Sequence, residues 1–197
     1  MKKVGLFFGS FNPIHVGHLV IANHIAQSEF VDEVWFVVSP QNPFKEKKSL
    51  LADIHRLALV NEAIFENPKL KSSNIEFSMP KPSYTSDTLA YLIDKYPGTE
   101  FSLIMGEDNI KSFHKWKNYE VILKNNQILV FPRVGVDDEL KAKSEILNHK
   151  QVHLLEDTPV MDISASFIRK QIKAGKSVAY LLTDKVEKYV EEMGFYK

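Results

Sequence analysis

Short runs of consecutive apolar residues alternate with helix-length amphipathic segments along most of this chain, and that alternation restricts the fold more than any other feature. Val4 to Phe8 is an unbroken apolar run closed by Gly9, as expected of a strand buried on both faces of a parallel sheet. From Val16 to about Ser28, Leu19, Ala22, Ile25 and Ala26 recur with helical spacing. Val34 to Val38 predicts a second strand, and Pro40 to Lys48, with Pro43 and its lysines, predicts a loop. Asp53 is placed to cap a helix whose apolar positions Ile54, Leu57, Ala58, Ile64 and Phe65 share one side.

The same alternation continues with strands near Ile75 to Phe77, at Phe101 to Met105, Ile128 to Phe131 and Val152 to Leu155. Helices are predicted between them at Thr85 to Tyr96, Tyr119 to Lys124 and Glu139 to Leu147. Strands separated by helices imply an α/β fold, a Rossmann-like doubly wound parallel sheet with helices on both faces. After Ile163 the pattern turns helical to the end, with Gly175 as a C-cap and a last helix from about Thr183 to Met193. The expectation is a single domain over residues 1–197, a core over 1–160 followed by a C-terminal helical segment over 161–197. At 197 residues and 44% hydrophobic content, two independent domains would be cramped.

Charge and composition bound the partners. Lysine plus arginine and aspartate plus glutamate each number 25, so no global positive field exists to hold a long polyanion, and nucleic acid is not expected as a partner. A small phosphorylated ligand needs only a local positive patch. Cysteine is absent, which excludes disulfides and thiolate metal sites. The apolar run after Met1-Lys2-Lys3 is too short for a signal peptide, and no stretch reaches the roughly 18 residues of a membrane span. A cytoplasmic protein with no membrane partner is expected; a homo-oligomer is left open.

In open α/β sheets the ligand lies at the carboxyl ends of the strands, so the first turn matters most. It reads Gly9-Ser10-Phe11-Asn12-Pro13-Ile14-His15-Val16-Gly17-His18. Gly9 is expected to bend the backbone, Pro13 to stiffen the loop, and Gly17 to leave the helix entrance open so that N–H groups face a phosphate. His15 and His18, three residues apart, can point the same way and donate to phosphate oxygens. Taken in isolation the pair reads equally as capping or surface histidines, or as two zinc ligands in want of a third. No Gly-x-Gly-x-x-Gly follows the first strand, and Gly175-Lys176-Ser177 fails as a P-loop because the upstream glycine position holds Lys170.

A second constellation, Ile163-Ser164-Ala165-Ser166-Phe167-Ile168-Arg169, opens the late helix. Ser164 is placed as its N-cap, and Ser166 and Arg169 can join it in an anion site. By itself this is as readily a plain cap beside a solvated arginine. Its functional reading comes from being paired with the histidine loop.

These two segments resemble the nucleotidyltransferase superfamily that carries a His-x-Gly-His signature and a late Ile-Ser-x-Thr/Ser-x-x-Arg signature. Over nearly its whole length the chain looks like the bacterial nicotinate mononucleotide adenylyltransferases. The resemblance implies transfer of the adenylyl group of ATP to nicotinate mononucleotide, with Mg²⁺ bridging the ATP phosphates and no covalent enzyme intermediate. It implies that His15 contacts the phosphates, that His18 stabilises the α-phosphate under attack, and that Ser164, Ser166 and Arg169 hold the β- and γ-phosphates. Gly9, Phe11 and Ile163 would line the ATP site, completed by the C-terminal helices, while Ser10, Asn12 and Lys45 would bind the mononucleotide, Ser10 touching both substrates.

Three further stretches resemble the same family. Tyr84-Thr85 within Ser83 to Leu89 would meet the pyridine carboxylate, which needs donors. Gly106-Glu107-Asp108 would approach the adenosine, and Trp116 would stack on the pyridine ring. Singly, Thr85 reads as an N-cap, Asp108 as a helix cap and Trp116 as a packing aromatic. The chain departs from the family at Asn42-Pro43-Phe44-Lys45, where Pro-Pro-His-Lys is common, and at Ser166, where threonine is usual. Phe8-Gly9-Ser10-Phe11-Asn12 also occurs in relatives acting on nicotinamide mononucleotide, which leaves the acid or amide preference open. Two rivals stand beside this reading, an adenylyltransferase acting on phosphopantetheine and a non-catalytic nucleotide-binding module.

Overall fold

The computed structural model describes residues 1–40, 50–135 and 146–197. In chain order these form β1 (Lys2–Gly9), α1 (Val16–Ile25), β2 (Glu33–Val38), α2 (Asp53–Ile64) and β3 (Leu70–Ser73), then a 3₁₀ turn at Ile75–Ser78. There follow α3 (Thr85–Lys95), β4 (Thr99–Gly106), α4 (Glu107–Phe113), α5 (Tyr119–Asn125), β5 (Ile128–Phe131), β6 (Val152–Leu154), α6 (Ala165–Lys173) and α7 (Asp184–Glu192). The strands make one six-stranded sheet ordered β3-β2-β1-β4-β5-β6, and every pair is parallel. This is the expected doubly wound α/β architecture.

The sheet separates two apolar layers. Ile21, Ile25, Phe36, Leu59, Val60, Leu129 and Ile168 fill one side, with Val186 and Val190 of α7 closing it. Val4, Leu6, Leu89, Leu92, Leu103, Phe113 and Ile128 fill the other. Within β1, Leu6 and Phe7 therefore face opposite layers, which is why the strand had to read as a continuous apolar run rather than an alternating one. Each such side chain contributes about 1.5–3 kcal/mol when fully buried.

Several elements differ from the sequence reading, each for a tertiary reason. The third strand is Leu70–Ser73, and the apolar Ile75 and Phe77 belong to the 3₁₀ turn after it. At the sheet edge β3 pairs, among the described residues, with β2 alone, so one buried side chain, Leu70, suffices and no apolar run appears. In α2 the buried residues are Arg56, Leu59, Val60 and Ile64, while Ile54 and Phe65 are 64% and 77% exposed. The helix is turned so that Arg56 faces inward. Ala52, not Asp53, is its N-cap, and the Asp53 carboxylate instead accepts from Arg56 Nη2 at 2.7 Å.

The short helix α4 leaves too little periodicity to be seen in the sequence. After Ile163 the two expected helices are present, parted after Lys173 by Gly175 at φ +66°, with Thr183 as the N-cap of α7. The loop predicted at Pro40 to Lys48 and the helix predicted at Glu139 to Leu147 lie largely outside the described residues.

Candidate active site

The chain leaves the sheet in opposite directions from β1 and β4, so a crevice opens beyond their carboxyl ends. A cleft of about 640 Å³ occupies it, walled by the β1–α1 loop, the start of α3, the β4–α4 junction and the start of α6. Gly9, Ser10, Phe11, Asn12, His15, His18, Tyr84, Thr85, Gly106, Asp108, Trp116, Ile163, Ser164, Ser166 and Arg169 all line it. Lys45 lies outside the described residues.

The bend of the first loop is carried by Phe11, with φ +45°, rather than by Gly9. Gly9 is needed for space, since a Cβ there would lie 2.7 Å from the Phe11 ring. Gly17 likewise admits the His15 ring, whose Nδ1 would be 3.2 Å from an added Cβ. The two imidazoles stack, with centroids 3.7 Å apart and planes inclined by 27°. His18 Nδ1 accepts from the His15 main-chain N–H at 3.3 Å, so a neutral His18 carries its proton on Nε2. His15 is 5% exposed, and burial together with the Arg133 guanidinium lowers its pKa to about 4. At neutral pH it is an uncharged imidazole.

The helix entrance is less open than the sequence suggested. Val16 N–H donates to the Leu181 carbonyl at 2.9 Å and His18 N–H to the His15 carbonyl at 2.9 Å. With the His15 N–H bonded to His18 Nδ1, three N–H groups of this entrance are already engaged within the protein.

Two arginines hold the loop in place. Arg56, fully buried, donates from Nη1 to the carbonyls of Ser10 at 2.6 Å and Ser39 at 2.9 Å, and from Nε to Leu51 at 3.0 Å. Arg169 donates from Nη1 to the Asn12 carbonyl at 2.8 Å and from Nη2 to Ser166 Oγ at 3.2 Å. Asn12 is 3% exposed, and its Oδ1 accepts from Leu51 N–H at 3.2 Å and from the Tyr196 hydroxyl at 2.8 Å. Its amide oxygen is thus engaged in fastening the loop to α2 and the C-terminal tail. Ser164 is the N-cap of α6, accepting from Phe167 N–H at 3.2 Å.

The far half of the cleft is built differently. Gly106 caps α4, so Asp108 stands in the first turn, with Oδ1 3.6 Å from Arg133 Nε. Tyr84 is the N-cap of α3 and Thr85 its first residue, which removes the capping explanation for Thr85. Trp116 packs on Phe113 with centroids 5.4 Å apart while keeping a face on the cleft. Beside it Lys117 Nζ pairs with Asp87 at 2.8 Å and sits 4.9 Å from the Tyr84 ring centre.

Four residues were not singled out from the sequence. Arg133 follows β5 by two positions, which places it at a carboxyl end and could have been noticed once that strand was assigned. Lys117 adjoins Trp116. Arg56 and Glu76 offered no signal, because their roles rest on partners remote in the chain. Among the described residues no group of three or more His, Asp or Glu side chains is gathered as metal ligands. Nor is any helix long and apolar enough among them to cross a membrane.

Comparison with known proteins gives a consistent result. The cytidylyltransferase-like family profile matches residues 6–171. The chain is 53% identical over 195 residues to a probable nicotinate-nucleotide adenylyltransferase of Flavobacterium psychrophilum, covering 99% of both chains. It is 34% identical over 197 residues to the nicotinate-nucleotide adenylyltransferase of Bacillus subtilis, covering 100% of both. In fold it is similar to the Plasmodium falciparum nicotinic acid mononucleotide adenylyltransferase complexed with NaAD, with a TM-score of 0.81, 20% identity and coverage of 100% and 98%.

Proposed function

The chain belongs to the cytidylyltransferase-like family, and within it to the nicotinate-nucleotide adenylyltransferases, and on that premise we propose that it transfers the adenylyl group of ATP to nicotinate mononucleotide. The products are deamido-NAD and pyrophosphate. A phosphate oxygen of the mononucleotide forms a bond to the α-phosphorus as the bond from that phosphorus to the bridging oxygen breaks. The electron pair leaves with pyrophosphate.

One observation carries this reading: the histidine loop and the Ser164–Arg169 turn form one wall of one cleft, joined by the Arg169 to Asn12 hydrogen bond. Such a wall offers donors of the kind a triphosphate requires. His18, with its proton on Nε2, donates to the α-phosphate as charge builds in the transition state, and His15 contacts the adjoining phosphates. Ser164, Ser166 and Arg169 hold the β- and γ-phosphates. Gly9, Phe11 and Ile163 shape the floor, and Gly106 and Asp108 face the adenosine.

At the other end Tyr84 and Thr85 meet the pyridine carboxylate and Trp116 stacks on the ring, with Ser10, Asn12 and Lys45 on the mononucleotide side. Mg²⁺ accompanies ATP; the donor-rich wall suits phosphates that themselves carry the metal, which would neutralise their charge. The enzyme is read as one cytoplasmic nucleotidyltransferase domain.

The test is direct. Mg-ATP with nicotinate mononucleotide is expected to release pyrophosphate and yield deamido-NAD, at a higher rate than with nicotinamide mononucleotide. Binding of ATP without pyrophosphate release would favour a non-catalytic module, and release only with phosphopantetheine would assign the other acceptor.

A further inference from the structure

Glu76 occupies the 3₁₀ turn, 1% exposed, yet its side chain forms part of the cleft wall. A buried carboxylate without a cation is costly, and among the described residues the contacts of this one are hydroxyls. Oε1 accepts from Thr88 Oγ1 at 2.7 Å, and that same hydroxyl lies 3.3 Å from the Tyr84 carbonyl. Thr88 is fully buried, and Tyr84 is the N-cap of α3. Among the described residues Glu76 Oε2 and Ser83 Oγ are buried without hydrogen-bond partners, and both residues line the same cleft.

A threonine hydroxyl has a single hydrogen. If it serves an ionised Glu76, the Tyr84 carbonyl keeps only its main-chain bonds from the N–H groups of Asp87 and Thr88; if Glu76 is protonated, Glu76 can donate to Thr88 and Thr88 to Tyr84 as well. Burial pushes the Glu76 carboxyl above the usual carboxylate range, and the Thr88 hydroxyl pulls it back; in either protonation state the Thr88 hydroxyl is the group that ties Glu76 to α3.

We propose that Glu76 is a positioning residue for the mononucleotide half of the cleft, its carboxyl fixing the Tyr84–Thr85 corner through the Thr88 hydroxyl and so setting the affinity for the pyridine end of the acceptor. The inference rests on the adenylyltransferase reading above. The Thr88 hydrogen bond directs the effect of Glu76 to the α3 corner of the cleft.

Steady-state kinetics and calorimetric titration with nicotinate mononucleotide test it. Glu76→Leu is expected to raise KM and Kd for the mononucleotide about tenfold, the ratio that loss of one buried hydrogen bond supports, with KM for ATP within twofold of wild type. Glu76→Gln retains an acceptor for Thr88 and is expected to stay within about threefold of wild type. Thr88→Val breaks the same link from its other end, gives the same pattern, and serves alone if Glu76→Leu does not fold.

Three results overturn the proposal: an unchanged mononucleotide KM, KM values for both substrates rising together, or Glu76→Gln as impaired as Glu76→Leu. A wild type that neither turns over nor binds the mononucleotide would remove the functional reading and this one together. Normal wild-type turnover with unaffected variants would remove this one alone.

Discussion

Arg169 Nη1 donates to the main-chain carbonyl of Asn12 at 2.8 Å across 157 residues of sequence. That bond makes the late helix and the first loop a single surface, and the Ser166 hydroxyl 3.2 Å from Nη2 aligns the other arm of the fork. Arg169→Lys keeps a positive charge but cannot reach both partners at once. It is expected to lower kcat/KM for ATP at least tenfold, and Arg169→Ala about a hundredfold or more, read in a pyrophosphate-release assay. Equal activity of the lysine variant and wild type would show that charge alone suffices.

In the proposed reaction His18 donates where charge develops, so its removal should be felt in turnover before binding. His18→Ala is expected to reduce kcat by about 10²–10³ with KM for ATP changed only a few-fold. Equal losses in kcat and in ATP affinity measured by calorimetry would assign it to ground-state binding instead.

His15 makes stability depend on pH in a defined window. Its folded pKa of about 4 lies below the ordinary 6.5, so between those values the unfolded chain binds a proton that the folded one does not. Stability is unaffected above pH 6.5 and is lost as pH falls toward 4, by on the order of 3 kcal/mol for this group. Thermal melts of wild type and His15→Asn from pH 8 to 4 should diverge below pH 6.5, the variant being the less pH-sensitive. Parallel curves would contradict a buried neutral imidazole.

Arg56 is the least conspicuous of the residues on which the site depends. Its guanidinium serves the carbonyls of Ser10, Ser39 and Leu51 together with the Asp53 carboxylate. Arg56→Met fills similar volume but strands those acceptors, at a cost of about 3–5 kcal/mol, or a fall in Tm of about 6–20 °C. A Tm within 2 °C of wild type would mean that water replaces those bonds.

The path from sequence to site was uneven along the chain. Ser164 was readable as the N-cap of α6 because its bond to Phe167 N–H spans only three residues. The strand at Ile128–Phe131 was readable because a central parallel strand must be apolar on both faces. The edge strand Leu70–Ser73 was not, since one face meets solvent and one neighbour suffices. Ile75 and Phe77 drew the assignment to themselves because hydrophobicity reports burial and not the backbone conformation that achieves it.

By itself the sequence determined the alternation of strands and helices, the parallel sheet, and the two short segments whose histidines, serines and arginine suit a phosphate ligand. These are local properties, written in periodicity, turn residues and caps within a few positions of one another. Only the tertiary structure decided that the two segments share one cleft, that α2 turns Arg56 inward, and that Glu76 reaches Tyr84 through Thr88. Those outcomes depend on side chains satisfying buried polar groups contributed by distant parts of the chain, and such pairings leave no pattern in the local order of residues.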